Sequence, residues 1–548
     1  MVFNTGAAGD VEASQYQIAR SLRWDHLSNA YLLRTPVATG ERRAFTFSGW
    51  IKRTNLGNST AASLYLFTVI QDGSNYFLIY FHNSALDTFS VLWQNAGAAR
   101  MQRRTSAVAR DPAGWFHLCV AFDTRPAAPT CIIECNGVTL PPTVVNNNTW
   151  AQNDLLLPNT SGIPYYFGTF GNPPSLYSSF YLAEVHMIDG QALAASSFGR
   201  TDATTGTWIP KPYIGTYGTN GAYLKFADNS NTTAATLGKD SSGNNNNFTP
   251  TNFSVAAGIG NDSLVDTPTN YGTDAGVGGE LRGNYCVLNS TDMTTLLTTY
   301  EGNLAAQGGN ASIWATIRGT VWVNSGKWYW EAVPSNVASS VMVGVLNTVA
   351  IAGATATLYA GMYSGGYAYH ANGQKWNNNV GAAYGATYTT NDTIGIALDM
   401  TAGTITFYKN GVSQGVAYSG ITGYVAPAFS MYNSSYWLPN FGQRPFAYAA
   451  PSGFQVLCSA NMPSTTPDLP ASFTGNGLVD GPFVWANGVT NAVTINGNVA
   501  TRGTHFDGVA GGIKLRTNSG SYNTAGTNTV TAETPGISFK YSRAQPNG

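Results

Sequence analysis

Apolar residues recur at every second position in short runs along this chain, and clusters of Gly, Asn, Ser, Thr and Asp separate the runs. A two-residue period bounded by turn formers predicts strands, not helices. FTFSGWIKR (Phe45 to Arg53) sets Phe45, Phe47 and Gly49 on one face and Thr46, Ser48 and Trp50 on the other. LYLFTVI, YFLIYF and FSVLW follow, then GWFHLCVAFD (Gly114 to Asp123), TCIIECNG (Thr130 to Gly137) and FYLAEVHMIDGQAL (Phe180 to Leu193). Later, IGIALDM and TITFYKNG are alternating runs joined by TAG, and the second ends at Asn410-Gly411, a pair suited to the positive φ values of a tight hairpin. In GKWYWE (Gly326 to Glu331), Trp328 and Trp330 share one face while Tyr329 and Glu331 share the other. Two stretches invite a helical turn: Gln15 to Arg20, and DMTTLLTTY (Asp292 to Tyr300). The fold class is all-β, with tandem antiparallel β-sandwiches whose aromatic residues fill the space between sheets.

At 548 residues the chain holds several such units. The pattern divides it into an N-terminal arm (1–20), a first sandwich (21–214), a strand with an Asn/Gly-rich connector (215–299), a second sandwich (300–446) and a C-terminal β region (447–548). In the last region FVWANG, AVTINGN, GGIKLRTNS and GISFKYS are strand candidates. There Phe539 and Tyr541 alternate with Ser538, Lys540 and Ser542, so one apolar face needs a cover, from the chain's own core or a neighbouring subunit.

Composition narrows the function. Only 10% of residues are charged while 12% are aromatic, and the net charge of −1 gives no pull toward nucleic acid or an anionic membrane. Arg100, Arg103, Arg104 and Arg110 read as a solvated edge strand. Five cysteines are too few and scattered for a disulfide framework. Cys131 and Cys135 share one strand, about 13 Å apart, too far to bridge. No thiol has a partner at zinc spacing. The N-terminus lacks the basic start and apolar core of an export signal, and no apolar run approaches the ~20 residues that span a bilayer. An exposed type of surface without an export signal fits a virus particle, assembled in the host cytoplasm and exposed after release.

Three resemblances sharpen this. GKWYWE, YHANG, DTIGIALDMTAGTITFYKNG and PAFS, in that order, resemble a SPRY domain over roughly residues 300 to 446. The resemblance implies a bent antiparallel sandwich whose edge loops bind partners, hence recognition without catalysis. The series from FTFSGWIKR to AEVHMIDG resembles a laminin-G-like (concanavalin A-like) jelly roll, a family with sugar-binding, calcium-holding and glucan-cleaving members. The cleaving members' E-x-D-x-x-E-like strand has no counterpart here, and Glu184 and Asp189 fall on opposite faces of one strand. Asp72, Asp123 and Asp240 are imaginable calcium ligands without supporting spacing, so neither metal nor cofactor is expected. Finally, NGAYLKF, DSSGNNNN and DTPTN (between Asn220 and Asn270) resemble the stretch between such domains in tailed-bacteriophage structural proteins.

The expected function is that of a non-enzymatic structural and binding protein on the virion surface. A tail fibre or tail-tip protein contacting host surface carbohydrate is the favoured form. Capsid decoration (head fibre) and a polysaccharide depolymerase are the alternatives. Partners would be other virion proteins and, as the phage resemblance implies, two further copies in a homotrimer. Candidate ligand contacts are aromatic rings beside polar turns, because a ring faces the C–H side of a sugar while amides bond its hydroxyls. Trp376, Asn377, Asn378, Tyr436 and Trp437 meet that description. The other tyrosines from Tyr363 to Tyr388, and Tyr432, are expected mainly in the core, and His370 in a structural role.

Overall fold

Strand follows strand through the computed structural model, in which strands take up 46% of the described residues. It describes residues 16–54, 56, 63–82, 87–144, 150–203, 205–309, 312–337, 340–355 and 357–462, and the strand pair Val493–Ile495 with Asn498–Ala500. The expected all-β class holds: among the described residues there is no α-helix, only two 3₁₀ turns, Ala195–Ser197 and Ser459–Asn461. Both helical expectations fail. Tyr16 to Arg20 forms neither helix nor strand and is pinned, with Ile18 buried and its N–H bonded to Thr269 Oγ1. Residues 292–300 end the strand Leu288–Met293, turn at 294–296 and form the strand Leu297–Tyr300, as expected where β-branched threonines crowd a helical turn.

The first sandwich has two eight-stranded sheets. One is centred on Trp115–Asp123, Ala44–Arg53 and Phe180–Asp189, and the other on Thr88–Asn95, Asn75–His82 and Ser63–Asp72. Phe45, Phe47, Phe67, Phe77, Phe122 and Phe167 pack between them. The second sandwich sets a seven-stranded sheet (Leu288–Met293, Trp314–Gly319, Ala426–Tyr432, Ser340–Leu346, Gly366–His370, Gln374–Asn377, Val380–Ala383) against an eight-stranded one built around Lys327–Ser335 and Ile394–Asp399. Trp328, Trp330, Phe407, Phe429 and Trp437 fill its interior. Turn chemistry behaves as written: Asn136-Gly137 and Asn410-Gly411 take positive φ between paired strands, the first at 49° and 75°.

Residues 215–299 weave into the sheets. Ala222–Leu224 pairs with Phe180–Asp189, Thr249–Thr251 with Tyr31–Arg34, and Ser263–Leu264 with Ser21–Trp24. Strands Ala44–Arg53 and Phe180–Asp189 are consequently buried on both faces. Trp50, Trp115, Tyr181 and Leu264 join the same apolar cluster as Trp328 and Trp330, so the two sandwiches share a packed boundary. Arg23 crosses it, with its guanidinium on Asp262 Oδ1 at 2.8 Å and its NH1 on Glu301 O at 2.9 Å. This compact unit runs to Pro463, and a second begins at Ser464. In that second unit the strands Val493–Ile495 and Asn498–Ala500 pair antiparallel, matching the AVTINGN candidate. The FVWANG, GGIKLRTNS and GISFKYS candidates lie outside the described residues, as do residues 1–15.

Candidate functional site

The outward face of the seven-stranded sheet gathers three half-buried aromatic rings, Trp314, Trp376 and Tyr432, around the buried Tyr359. Trp314–Gly319 places Ala315 and Ile317 in the core, which turns Trp314, Thr316 and Arg318 outward. Register then sets Trp314 opposite Tyr432, Tyr432 opposite Ser340, Met342 opposite His370, and Ala368 opposite Trp376. The segment Leu358 to Ala360 lies across this face. Thr316 Oγ1 donates to Leu358 O at 2.7 Å, and Ala360 N to Ser430 Oγ at 2.9 Å. Tyr359 is thereby lowered among the rings: Trp314 is 5.7 Å from Tyr359 and 5.6 Å from Tyr432, and Tyr359 meets Trp376 edge-on at 5.8 Å.

Polar groups rim the patch. The Gln374–Asn377 and Val380–Ala383 strands are joined by Asn378 and Asn379, both at positive φ, a two-residue turn that asparagine tolerates. Asn379 accepts from the Tyr359 hydroxyl. His370 is 5.8 Å from Trp314, its Nε2 lies 2.5 Å from Ser340 Oγ and its Nδ1 accepts from Asn372 N at 3.0 Å. Burial holds the His370 pKa below its ordinary value, favouring the neutral ring. The Trp376 ring lies over Gly381, where an added Cβ would come within 2.7 Å of it.

The five expected contacts do not form one site. Trp376 is half-buried in the patch, and Asn378 is exposed at its rim. Asn377 is beside them, but its Nδ2 donates to Ser364 O at 2.9 Å and Gly366 O at 2.8 Å, so its amide braces the neighbouring loop. Tyr436 is half-buried on the other sheet, opposite Ser335 and Gln307. Trp437 cannot stack on a ligand at all. It is 0% exposed, packed near Phe429 and Tyr388, with Nε1 donating to Ser430 O at 3.1 Å. Trp314 and Tyr359 complete the patch and were missed, while Tyr432, expected mainly in the core, is half-buried within it. Trp314 was detectable, because it sits out of phase with the core residues Ala315 and Ile317.

The imagined calcium ligands serve local turns. Asp72 accepts from Ser74 N and Asn75 Nδ2, Asp123 pairs with Arg125, and Asp240 accepts from Tyr223 N, Ser242 and Asn246 N. Glu184 lies inside the strand Phe180–Asp189. It sits at a bulge inside its strand at φ 53°, buried, and receives the hydroxyls of Tyr16 and Tyr223.

Residues 327–444 match the SPRY domain family model, so the second sandwich carries a SPRY domain. Among curated proteins, 92 residues are 39% identical to the E3 ubiquitin-protein ligase RKP of Arabidopsis thaliana, covering 16% of this chain and 7% of that one. A stretch of 176 residues is 28% identical to the ATP-dependent RNA helicase DDX1 of Xenopus laevis, covering 32% and 23%. The chain thus spans less than a quarter of either relative. Similar solved structures include the SPRY domain of human HERC1 (19% identity, TM-score 0.25, 28% of this chain and 96% of that one) and the TRIM65 PSpry domain (15%, 0.24, 28% and 89%).

Proposed function

We propose that this chain is a structural and binding protein of a tailed-phage virion that uses the outward face of its SPRY domain to hold host surface glycan. The observation that carries the reading is the patch of Trp314, Tyr359, Trp376 and Tyr432 with Asn378 and Asn379 at its rim. Rings of this kind take the apolar face of a sugar, and side-chain amides take its hydroxyls. The virion setting rests on the NGAYLKF, DSSGNNNN and DTPTN series and on the sparse charge. In this reading the first sandwich is a laminin-G-like spacer, and the chain acts in the tail as a homotrimer with other virion proteins. Exposed Val380, Val412 and Val416 on the sheet-edge strands Val380–Ala383 and Val412–Tyr418 suit association through β surfaces. Gold labelling of purified particles tests the setting: label at tail tips is expected, and label confined to heads would move the protein to capsid decoration. Incubation with host polysaccharide should give retention without new reducing ends; their appearance would make the chain a depolymerase.

A further inference from the structure

At the boundary of the two sandwiches one lysine is sealed from water. Lys52 lies on the outward face of Ala44–Arg53 and is 1% exposed. Its Nζ donates to Asp266 Oδ2 at 2.7 Å, Asn284 Oδ1 at 2.8 Å and Tyr285 O at 2.9 Å. Asp266 is fully buried, and its second oxygen accepts from Trp115 Nε1 at 2.8 Å and Tyr285 N at 3.3 Å. Asn284 Nδ2 donates to Ala113 O at 2.7 Å, which fixes the amide with its oxygen toward the lysine. The Tyr181 ring closes the site 5.9 Å from Nζ.

Burial pushes the Asp266 carboxyl up even though Lys52 pulls it down. Passing one proton from the ammonium to the carboxylate removes both charges. What remains is a neutral amine held against a carboxamide, beside a carboxylic acid able to protonate a leaving group. Fixed proximity and a positioned acid are the requirements of aminolysis.

We propose that Lys52 Nζ and the Asn284 side-chain amide condense into an intramolecular isopeptide bond, releasing ammonia, with Asp266 carrying the protons. Nζ gives a proton to Asp266 and its lone pair attacks Asn284 Cγ. The Nζ–Cγ bond forms; Asp266 returns the proton to Nδ2, and the Cγ–Nδ2 bond breaks. The second proton lost from Nζ passes through Asp266 to the departing ammonia, which leaves as ammonium. No oxidant, reductant or cofactor is consumed. The link would join positions 232 residues apart and tie a central strand of the first sandwich to the segment entering Leu288–Met293 of the second.

Peptide mass spectrometry of the digested full-length chain tests this without requiring any variant to fold. The expected product is a branched peptide containing Lys52 and Asn284, lighter than the sum of its parts by one ammonia. It should be absent from Lys52→Arg and Asn284→Ala and lost or strongly slowed in Asp266→Asn, with folding checked by near-ultraviolet circular dichroism. Recovery of wild-type linear peptides with both side chains intact would overturn the proposal and leave an ion pair. A branch joining Lys52 to Asp266, lighter by one water, would overturn it equally. A link still forming at the wild-type rate in Asp266→Asn would remove the role given to Asp266.

Discussion

Trp376 and Trp437 show what decides whether an aromatic ring packs or faces outward. Both follow or precede polar turns in sequence, yet Trp437 lies inside because alternation along Tyr436–Asn440 turns it toward Phe429. The neighbouring turn residues carried no information about the face. Trp437→Ala should destabilise the chain by about 3–5 kcal/mol in denaturant unfolding; an unchanged midpoint would contradict the core assignment. His117 makes the matching case for charge. Its Nε2 lies 2.8 Å from Ser48 Oγ, and its ring lies among Trp50, Phe198 and Trp208. Burial first, then His186, lowers its pKa from 6.5 to about 3. The unfolded chain takes up this proton near 6.5 and the folded chain only near 3, so the stability His117 contributes is present above 6.5 and drains away as pH falls toward 3. His117→Phe should therefore lose less stability than wild type between pH 7 and 4 in urea titrations; parallel losses would refute the assignment.

Elements were the most legible level, because a period of two needs only local sequence. Phe45 and Phe47 point inward as their alternation requires, and the Asn410-Gly411 hairpin turns where expected. The covering of the second face was illegible. Ser48 and Lys52 look like solvent-facing positions, and nothing nearby announces that Phe198 and Trp208 pack on His117 beside Ser48, or that Asp266, Asn284 and Tyr285 close over Lys52. Glu331 is a similar instance. Opposite the inward Trp328 and Trp330, it reads as an outward acid, yet its oxygens accept Ala447 N at 2.7 Å and Tyr448 N at 2.8 Å. Burial raises its pKa while those N–H bonds oppose the rise. Glu331→Ala should cost about 1–3 kcal/mol and speed amide hydrogen exchange at Ala447 and Tyr448. Unchanged exchange at those two amides would show that Glu331 does not hold the segment.

At the scale of the molecule, the two sandwiches share one apolar cluster and a buried polar seam. Arg23 meets Asp262 across 239 residues, and Lys52 meets Asp266 across 214. Pairings at such separations leave no periodic trace, which is why the stretch from 215 to 299 read as one strand and a connector when Thr249–Thr251 and Ser263–Leu264 are sheet members too. The patch on the SPRY domain was half legible for the same reason. Trp376 and Asn378 came from one local motif, while Trp314, Tyr359 and Tyr432 reach it from three other segments. The most direct test of glycan binding at that face is titration calorimetry of the full-length protein with host surface polysaccharide, comparing wild type with Trp376→Ala and Trp314→Ala. Saturable wild-type binding is expected, weakened about tenfold or more by either change, ~1.4 kcal/mol, with unfolding still cooperative. Wild-type affinity in both folded variants would contradict it.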